Sequence, residues 1–256
     1  MIPARIQTVF KNGHKALIAY ITAGDPTPEQ TPELVFALER GGVDLVELGV
    51  PFSDPIADGP VIQRGAERAL KAGTTVKKVL EIARKVRGKS RIPLLLFTYL
   101  NPVLRYGLEA LARDAREAGI DGCLLTDLSV EEALSYTGAM KSAGLDTVFL
   151  AAPTSTPARL KLVSKYSSGF VYLVSRTGVT GERSSISDSL APLVKSMRGI
   201  TKLPLAVGFG IATPDQAREV SKIADGVVVG SAFVRLIEQN GDIEAFARSL
   251  RQGMDS

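Results

Sequence analysis

Eight short apolar runs, punctuated by Gly, Pro, Asp or Thr, constrain this 256-residue chain more than any other feature. They begin at Ala16, Asp44, Ile92, Asp121, Asp146, Gly169, Leu203 and Asp225. Their near-continuous apolarity suits parallel strands buried on both faces. The segments between them carry helical spacing. Leu108, Leu111, Ala112, Ala115 and Ala118 fall on one stripe, and Gly119 is placed to stop that helix. Thr31-Pro32, Thr156-Pro157 and Thr213-Pro214 each offer a hydroxyl N-cap followed by proline at the first helical position. Thr213 with Gln216, and Ser129 with Glu132, have the spacing of a capping box.

Strand then helix, about eight times over and with no linker, predicts a single α/β domain over residues 1–256. Its architecture is a (β/α)8 TIM barrel with an extra N-terminal segment. A doubly wound open sheet is the alternative. The absence of a GxGxxG element after the first run counts against it.

The second run reads Asp44-Leu45-Val46-Glu47-Leu48-Gly49-Val50. Alternation puts Val46, Leu48 and Val50 toward the helices, and Leu45, Glu47 and Gly49 toward the barrel interior. Glu47 then lies near the C-terminal end of its strand, where barrel active sites form. Burial would raise its pKa into the range useful for acid–base work. The plainer alternative is a structural carboxylate held by an arginine or by backbone donors. The next loop, Pro51 to Pro60, holds Asp54 and Asp58 among three prolines and a glycine. It is too long and stiff for a minimal turn, and Asp58 could reach over the barrel mouth. Either Asp alone could equally be a turn residue beside Gly and Pro.

Glycines recur after the sixth, seventh and eighth runs, in Thr177 to Gly181, in Gly208-Phe209-Gly210 and in Gly230-Ser231. Backbone N–H groups can approach an anion there, and residues 231–237 suit the short extra helix of a barrel phosphate site. The residues alone therefore point to a phosphorylated small molecule handled by two carboxylates. Composition narrows the alternatives. The net charge of +4 comes from scattered Lys and Arg, without the dense basic run of a nucleic-acid arm. One cysteine, Cys123, permits no internal disulfide, and with one histidine, His14, it cannot supply a zinc site of the usual kind. No metal is expected. Neither a signal peptide nor a membrane span is expected, and the expected location is the cytoplasm.

The string Glu47 to Leu70, ELGVPFSDPIADGPVIQRGAERAL, resembles the signature of the tryptophan synthase alpha family. So do Ile21 to Pro26, Ser175 to Gly181, Gly208 to Ala217 and Val227 to Val234, in family order. The resemblance implies a lyase that splits indole-3-glycerol phosphate into indole and glyceraldehyde 3-phosphate by retro-aldol chemistry. Glu47 matches the catalytic glutamate, Asp58 the catalytic aspartate that bonds the indole N–H, and Tyr172 a tyrosine near the glutamate. Gly181, Gly210, Gly230 and Ser231 match the phosphate donors, with Phe209 packing near the ligand. Tyr20, Phe97, Tyr99 and Leu124 match walls of the indole pocket, and Thr180 matches the threonine of a closing lid.

The resemblance further implies no cofactor in this chain. Pyridoxal phosphate is expected only in a partner beta subunit, within an alpha2beta2 heterotetramer whose partner faces Asp54 and Pro55. One departure stands out: many members have Asp-Leu-Pro where this chain has Asp127-Leu128-Ser129. Three alternatives remain at this point: a stand-alone lyase releasing free indole, another phosphate-binding barrel enzyme, or a non-catalytic regulator. The presence of both acids argues against the last two.

Overall fold

All eight apolar runs form strands in the computed structural model, which describes residues 5–174, 186–208 and 210–256. They are β1 (Ala16–Thr22), β2 (Leu45–Gly49), β3 (Leu94–Thr98), β4 (Gly122–Leu125), β5 (Asp146–Ala151), β6 (Val171–Val174), β7 (Leu205–Gly208) and β8 (Gly226–Val229). Each pairs in parallel with the next, and β8 returns to β1 with Ile18 opposite Val228, closing the barrel in sequence order. No open edge is left for another strand to pair with.

Alternation divides the apolar residues into two layers. Ile18, Leu45, Leu95, Leu124, Val148 and Phe170 meet inside the barrel. Leu17, Val46, Leu48, Leu94 and Leu96 belong to the larger layer beneath the helices. The facing expected for β2 holds, with Leu45 inward and Val46, Leu48 and Val50 outward. The predicted helix runs Leu108–Glu117, and Gly119 turns the chain at φ +84°, a backbone region that favours glycine.

The capping signals divide. Thr156 and Thr213 both cap their helices, and Thr213 with Gln216 completes the box. Two expectations are corrected. Thr31 lies inside its helix rather than at the cap; its hydroxyl accepts from Gly24 N–H at 2.9 Å and donates to the Thr27 carbonyl at 3.0 Å. It thereby ties down the loop after β1. Ser129 forms no capping box, because its hydroxyl turns to the Glu131 carboxylate, a charged acceptor that also pairs with Arg159 at 2.9 Å.

The extra N-terminal segment closes the bottom of the barrel. Ile6, on the short helix Arg5–Thr8, is fully buried with the interior residues, and Phe10 packs on Phe170 with centroids 5.8 Å apart. Arg5 pairs with Asp121, which also accepts from Arg87 at 3.2 Å and from Leu94 N–H at 2.9 Å. Among the described residues that end is plugged, and the C-terminal rim is left open to a ligand. Among the described residues, no helix is long and apolar enough to cross a membrane. Ile6→Ala should destabilise the protein by about 2–4 kcal/mol in urea unfolding, as expected for a large-to-small change in a closed core. An unchanged midpoint would show that the segment is not part of the core.

Candidate active site

Glu47 sits in the middle of β2, flanked in register by Tyr20 of β1 and Leu95 of β3. It is fully buried, and neither carboxylate oxygen has a hydrogen-bond partner among the described residues. This is not the arginine-held structural carboxylate that the sequence left open. Loss of hydration, with nothing to offset it, pushes the Glu47 carboxyl up to about 8. At neutral pH it is an uncharged acid that can give up a proton and take it back.

Tyr20 and Tyr172 stand close enough for the glutamate's charge to raise both phenols further above a range that burial has already raised. Two strand glycines make room for these rings. A Cβ on Gly49 would meet the Tyr20 hydroxyl at 2.2 Å, and one on Gly208 would meet the Tyr172 hydroxyl at 2.1 Å. Gly208, read from sequence as part of an anion loop, is thus needed for close packing inside the barrel.

Asp58 arrives on the loop after β2. Tyr99 holds that loop from beneath: its hydroxyl accepts from Ala57 N–H at 3.1 Å, and its ring lies 5.4 Å from that of Phe52. The Asp58 carboxyl is raised by partial burial, and a hydrogen bond from Tyr99 offsets part of that rise. Asp54 and Ile56, on the outer edge of the loop, are exposed, with Pro55 half-buried between them.

Both acids open into one cavity of about 300 Å³ at the barrel mouth, the lower end of the range for small-ligand sites. Tyr20, Phe97 and Tyr172 line it, with Tyr20 and Phe97 edge to face at 5.1 Å. Leu150 and Val228 add apolar wall that sequence reading missed, since nothing in the alternation separates them from core residues. Tyr99 and Leu124 do not line it: Tyr99 supports the Asp58 loop, and Leu124 belongs to the interior layer.

The other end of the cavity is backbone. Gly210, at φ +78°, Gly230 and Ser231 line it together. Ser231 opens the helix Ser231–Glu238, whose N-cap Gly230 has no side chain to satisfy the first N–H groups. By contrast, the helix Pro214–Ser221 is closed by its own capping box. Of these two helix starts, that at Ser231 is the one without a side-chain cap, so its first N–H groups and positive dipole end are open to an anion. Thr180, Gly181 and Phe209 lie outside the described residues.

A further polar network joins residues that no local sequence pattern connects. Asp25, fully buried after β1, takes a bidentate pair from Arg68, both contacts at 2.8 Å. Arg68 also reaches Glu238 at 2.7 Å, and Arg64 grips the same carboxylate with two contacts of 3.0 Å. This ties the helix Pro60–Lys71, which follows Asp58, to the helix that starts at Ser231. Cys123, buried in β4, has its thiol pushed up to about 12 by burial and is no nucleophile. Among the described residues, no three His, Cys, Asp or Glu side chains gather as a metal site would need.

A neutral buried acid, apolar walls and a helix start with free N–H donors, all lining one cavity of a closed barrel, are the features of a barrel enzyme suited to acid–base chemistry on an anionic substrate. Comparison with known proteins specifies which. The family model described as tryptophan synthase alpha chain matches residues 6–253. The tryptophan synthase alpha chain of Solibacter usitatus is 67% identical over 250 residues, covering 95% of this chain and 94% of that one. The crystal structure of tryptophan synthase subunit alpha from Legionella pneumophila superposes with a TM-score of 0.89 at 38% identity, covering 98% and 97%. A structure described as the tryptophan synthase a2b2 complex of Pyrococcus furiosus gives a TM-score of 0.84 at 39% identity, covering 94% and 98%. The chain belongs to the tryptophan synthase alpha chain family. It is a lyase of tryptophan biosynthesis that cleaves indole-3-glycerol phosphate to indole and glyceraldehyde 3-phosphate.

A carboxyl raised from its ordinary value of 4.5 to about 8 has a signed consequence for stability. The folded protein keeps this proton while the unfolded chain loses it, so stability falls as pH rises between those values and levels off above them. Glu47→Gln should remove that slope, at most about 1.4 kcal/mol per pH unit, and leave the variant more stable than the parent at pH 8. Urea unfolding across this window checks it; parallel curves would mean that Glu47 has an ordinary pKa.

Proposed function

We propose that Glu47 is the proton shuttle of the cleavage and Asp58 its electrostatic partner. The uncharged carboxyl of Glu47 donates its proton to C3 of the indole ring, which makes the ring an electron sink. The glutamate carboxylate so formed then takes the proton of the glycerol hydroxyl beside the breaking bond. As the C3–C1′ bond breaks, its electron pair restores the indole and the hydroxyl carbon becomes the aldehyde of glyceraldehyde 3-phosphate. Glu47 ends protonated, as it began. Asp58 accepts from the indole N–H and offsets the positive charge of the intermediate. Tyr172 positions Glu47 and completes the apolar wall.

The observation that carries this reading is the complete burial of Glu47 without a partner. A carboxylate paired with arginine would be too acidic to protonate carbon near neutral pH. Tyr20 and Phe97 hold the ring, while Gly210, Gly230 and Ser231, with Gly181, bind the phosphate. Phe209 packs beside it, and Thr180 belongs to a lid that closes over the substrate. Tyr99 acts through the loop that carries Asp58.

The chain itself uses no cofactor, and pyridoxal phosphate belongs to a beta subunit that receives the indole. That subunit docks on the rim around Asp54, Pro55 and the strongly exposed Ile56, in an alpha2beta2 assembly in the cytoplasm. A likeness to the Pyrococcus furiosus a2b2 complex supports this arrangement. Indole release from indole-3-glycerol phosphate, by this chain alone and with a tryptophan synthase beta subunit, tests it. Slow release that rises with the partner is expected; release that ignores the partner would contradict the assembly.

Glu47→Gln should lower kcat by at least about a hundredfold, the usual reach of a lost general acid, while far-UV circular dichroism stays unchanged. Wild-type turnover would overturn the assignment. Gly210→Val should weaken glycerol 3-phosphate binding by about tenfold or more, because the side chain strains a φ of +78° and crowds the backbone approach. Calorimetric titration reads this directly, and an unchanged affinity would place the phosphate elsewhere.

A further inference from the structure

Arg235 lines the same cavity as Gly210, Gly230 and Ser231, one turn into the helix Ser231–Glu238. Residues four apart share a helix face, and helical side chains lean toward the N-terminus. That lean carries the Arg235 side chain along the face of Ser231, on the side of the cavity that both residues line. The nearest acid on that helix, Glu238, does not draw it away, because Arg64 and Arg68 occupy both its oxygens. Among the described residues, Arg235 forms no ion pair and its side chain no hydrogen bond, although it is exposed to solvent at the cavity edge. A long cationic side chain at the cavity edge, with its neighbouring carboxylate already taken, leaves its charge available to a ligand there.

We propose that Arg235 is a specificity-determining residue that supplies the formal positive charge for the phosphate tail. This rests on the placement of the phosphate at Gly210, Gly230 and Ser231. Backbone donors and a helix dipole recognise an anion by partial charges alone. A guanidinium adds a full charge and a planar pair of donors that match two phosphate oxygens. Because the group is exposed, its contribution is modest and screened by salt. Its main effect falls on the preference for phosphorylated over uncharged ligands, and on KM more than on kcat.

Calorimetric titration with glycerol 3-phosphate, at low and high salt, tests this on the parent chain and on Arg235→Gln, Arg235→Lys and Gly210→Val. Indole serves as an uncharged probe of the apolar end. Arg235→Gln should weaken glycerol 3-phosphate about fivefold at low salt and flatten the salt dependence. Arg235→Lys should recover most of that loss, and both Arg235 variants should bind indole like the parent. In turnover, Arg235→Gln should raise KM for indole-3-glycerol phosphate by a similar factor. If Arg235→Gln keeps the parent's affinity and salt dependence while Gly210→Val loses affinity, the role of Arg235 is wrong and the phosphate site stands. If neither variant changes glycerol 3-phosphate binding, the phosphate lies elsewhere and both readings fall.

Discussion

The removal of Glu47 from water is the constraint around which the rest of the molecule is arranged. A carboxyl group at the centre of β2, without a hydrogen-bond partner among the described residues, is held neutral by desolvation rather than by any contact. Such a site survives only inside a frame that cannot collapse onto it or let water in from below. The frame is the closed parallel barrel, whose hydrogen-bond register fixes Glu47 between Tyr20 and Leu95. The lower end is sealed by Ile6 and by the Arg5, Arg87 and Asp121 cluster. Two glycines give the tyrosines beside the acid the room they need. The stability lost on ionising this group is the thermodynamic counterpart of its usefulness as a proton donor.

The cavity then divides its chemistry along its length. Its inner part is apolar apart from the neutral acid and the tyrosine hydroxyls, so a flat aromatic ring suits it. Its outer end presents backbone N–H groups, a helix start and Arg235, which suit an anion. Asp58 hangs at the side on a loop anchored through Tyr99. The Asp25, Arg68 and Glu238 network ties the helix behind that loop to the helix that starts at Ser231. Movement of the helix Pro60–Lys71 must therefore strain the pair between Arg68 and the buried Asp25, a costly break. Glu47, the apolar walls and the Ser231 helix start thus share one barrel as their support.

Much of this was legible in the chain. Buried parallel strands need continuous apolar runs, and those runs placed all eight strands; alternation alone aimed Glu47 inward. The Ser231 helix and the Thr213 capping box followed from local chemistry. What escaped notice depends on contacts distant in sequence. Gly208 reads as a loop glycine until Tyr172 is seen to occupy the space of its missing side chain. Tyr99 reads as a pocket wall until its hydroxyl is found under Ala57, and Leu124 is indistinguishable from any other inward-facing leucine. Arg68 and Asp25 are 43 positions apart, and no periodicity brings them together. Ser129 and Thr31 show that a local capping signal yields when a stronger or more central partner is near.

The protonation state of Glu47 decides whether the site can act as an acid. Carbon-13 NMR of the side-chain carboxyl, in protein labelled at glutamate and assigned by subtracting the Glu47→Gln spectrum, reads it without turnover. The expected result is a carboxyl still protonated at pH 7 that titrates near 8, as burial without a partner requires. A carboxyl already ionised at pH 7, with its midpoint near 4.5, would mean that desolvation does not make this residue an acid.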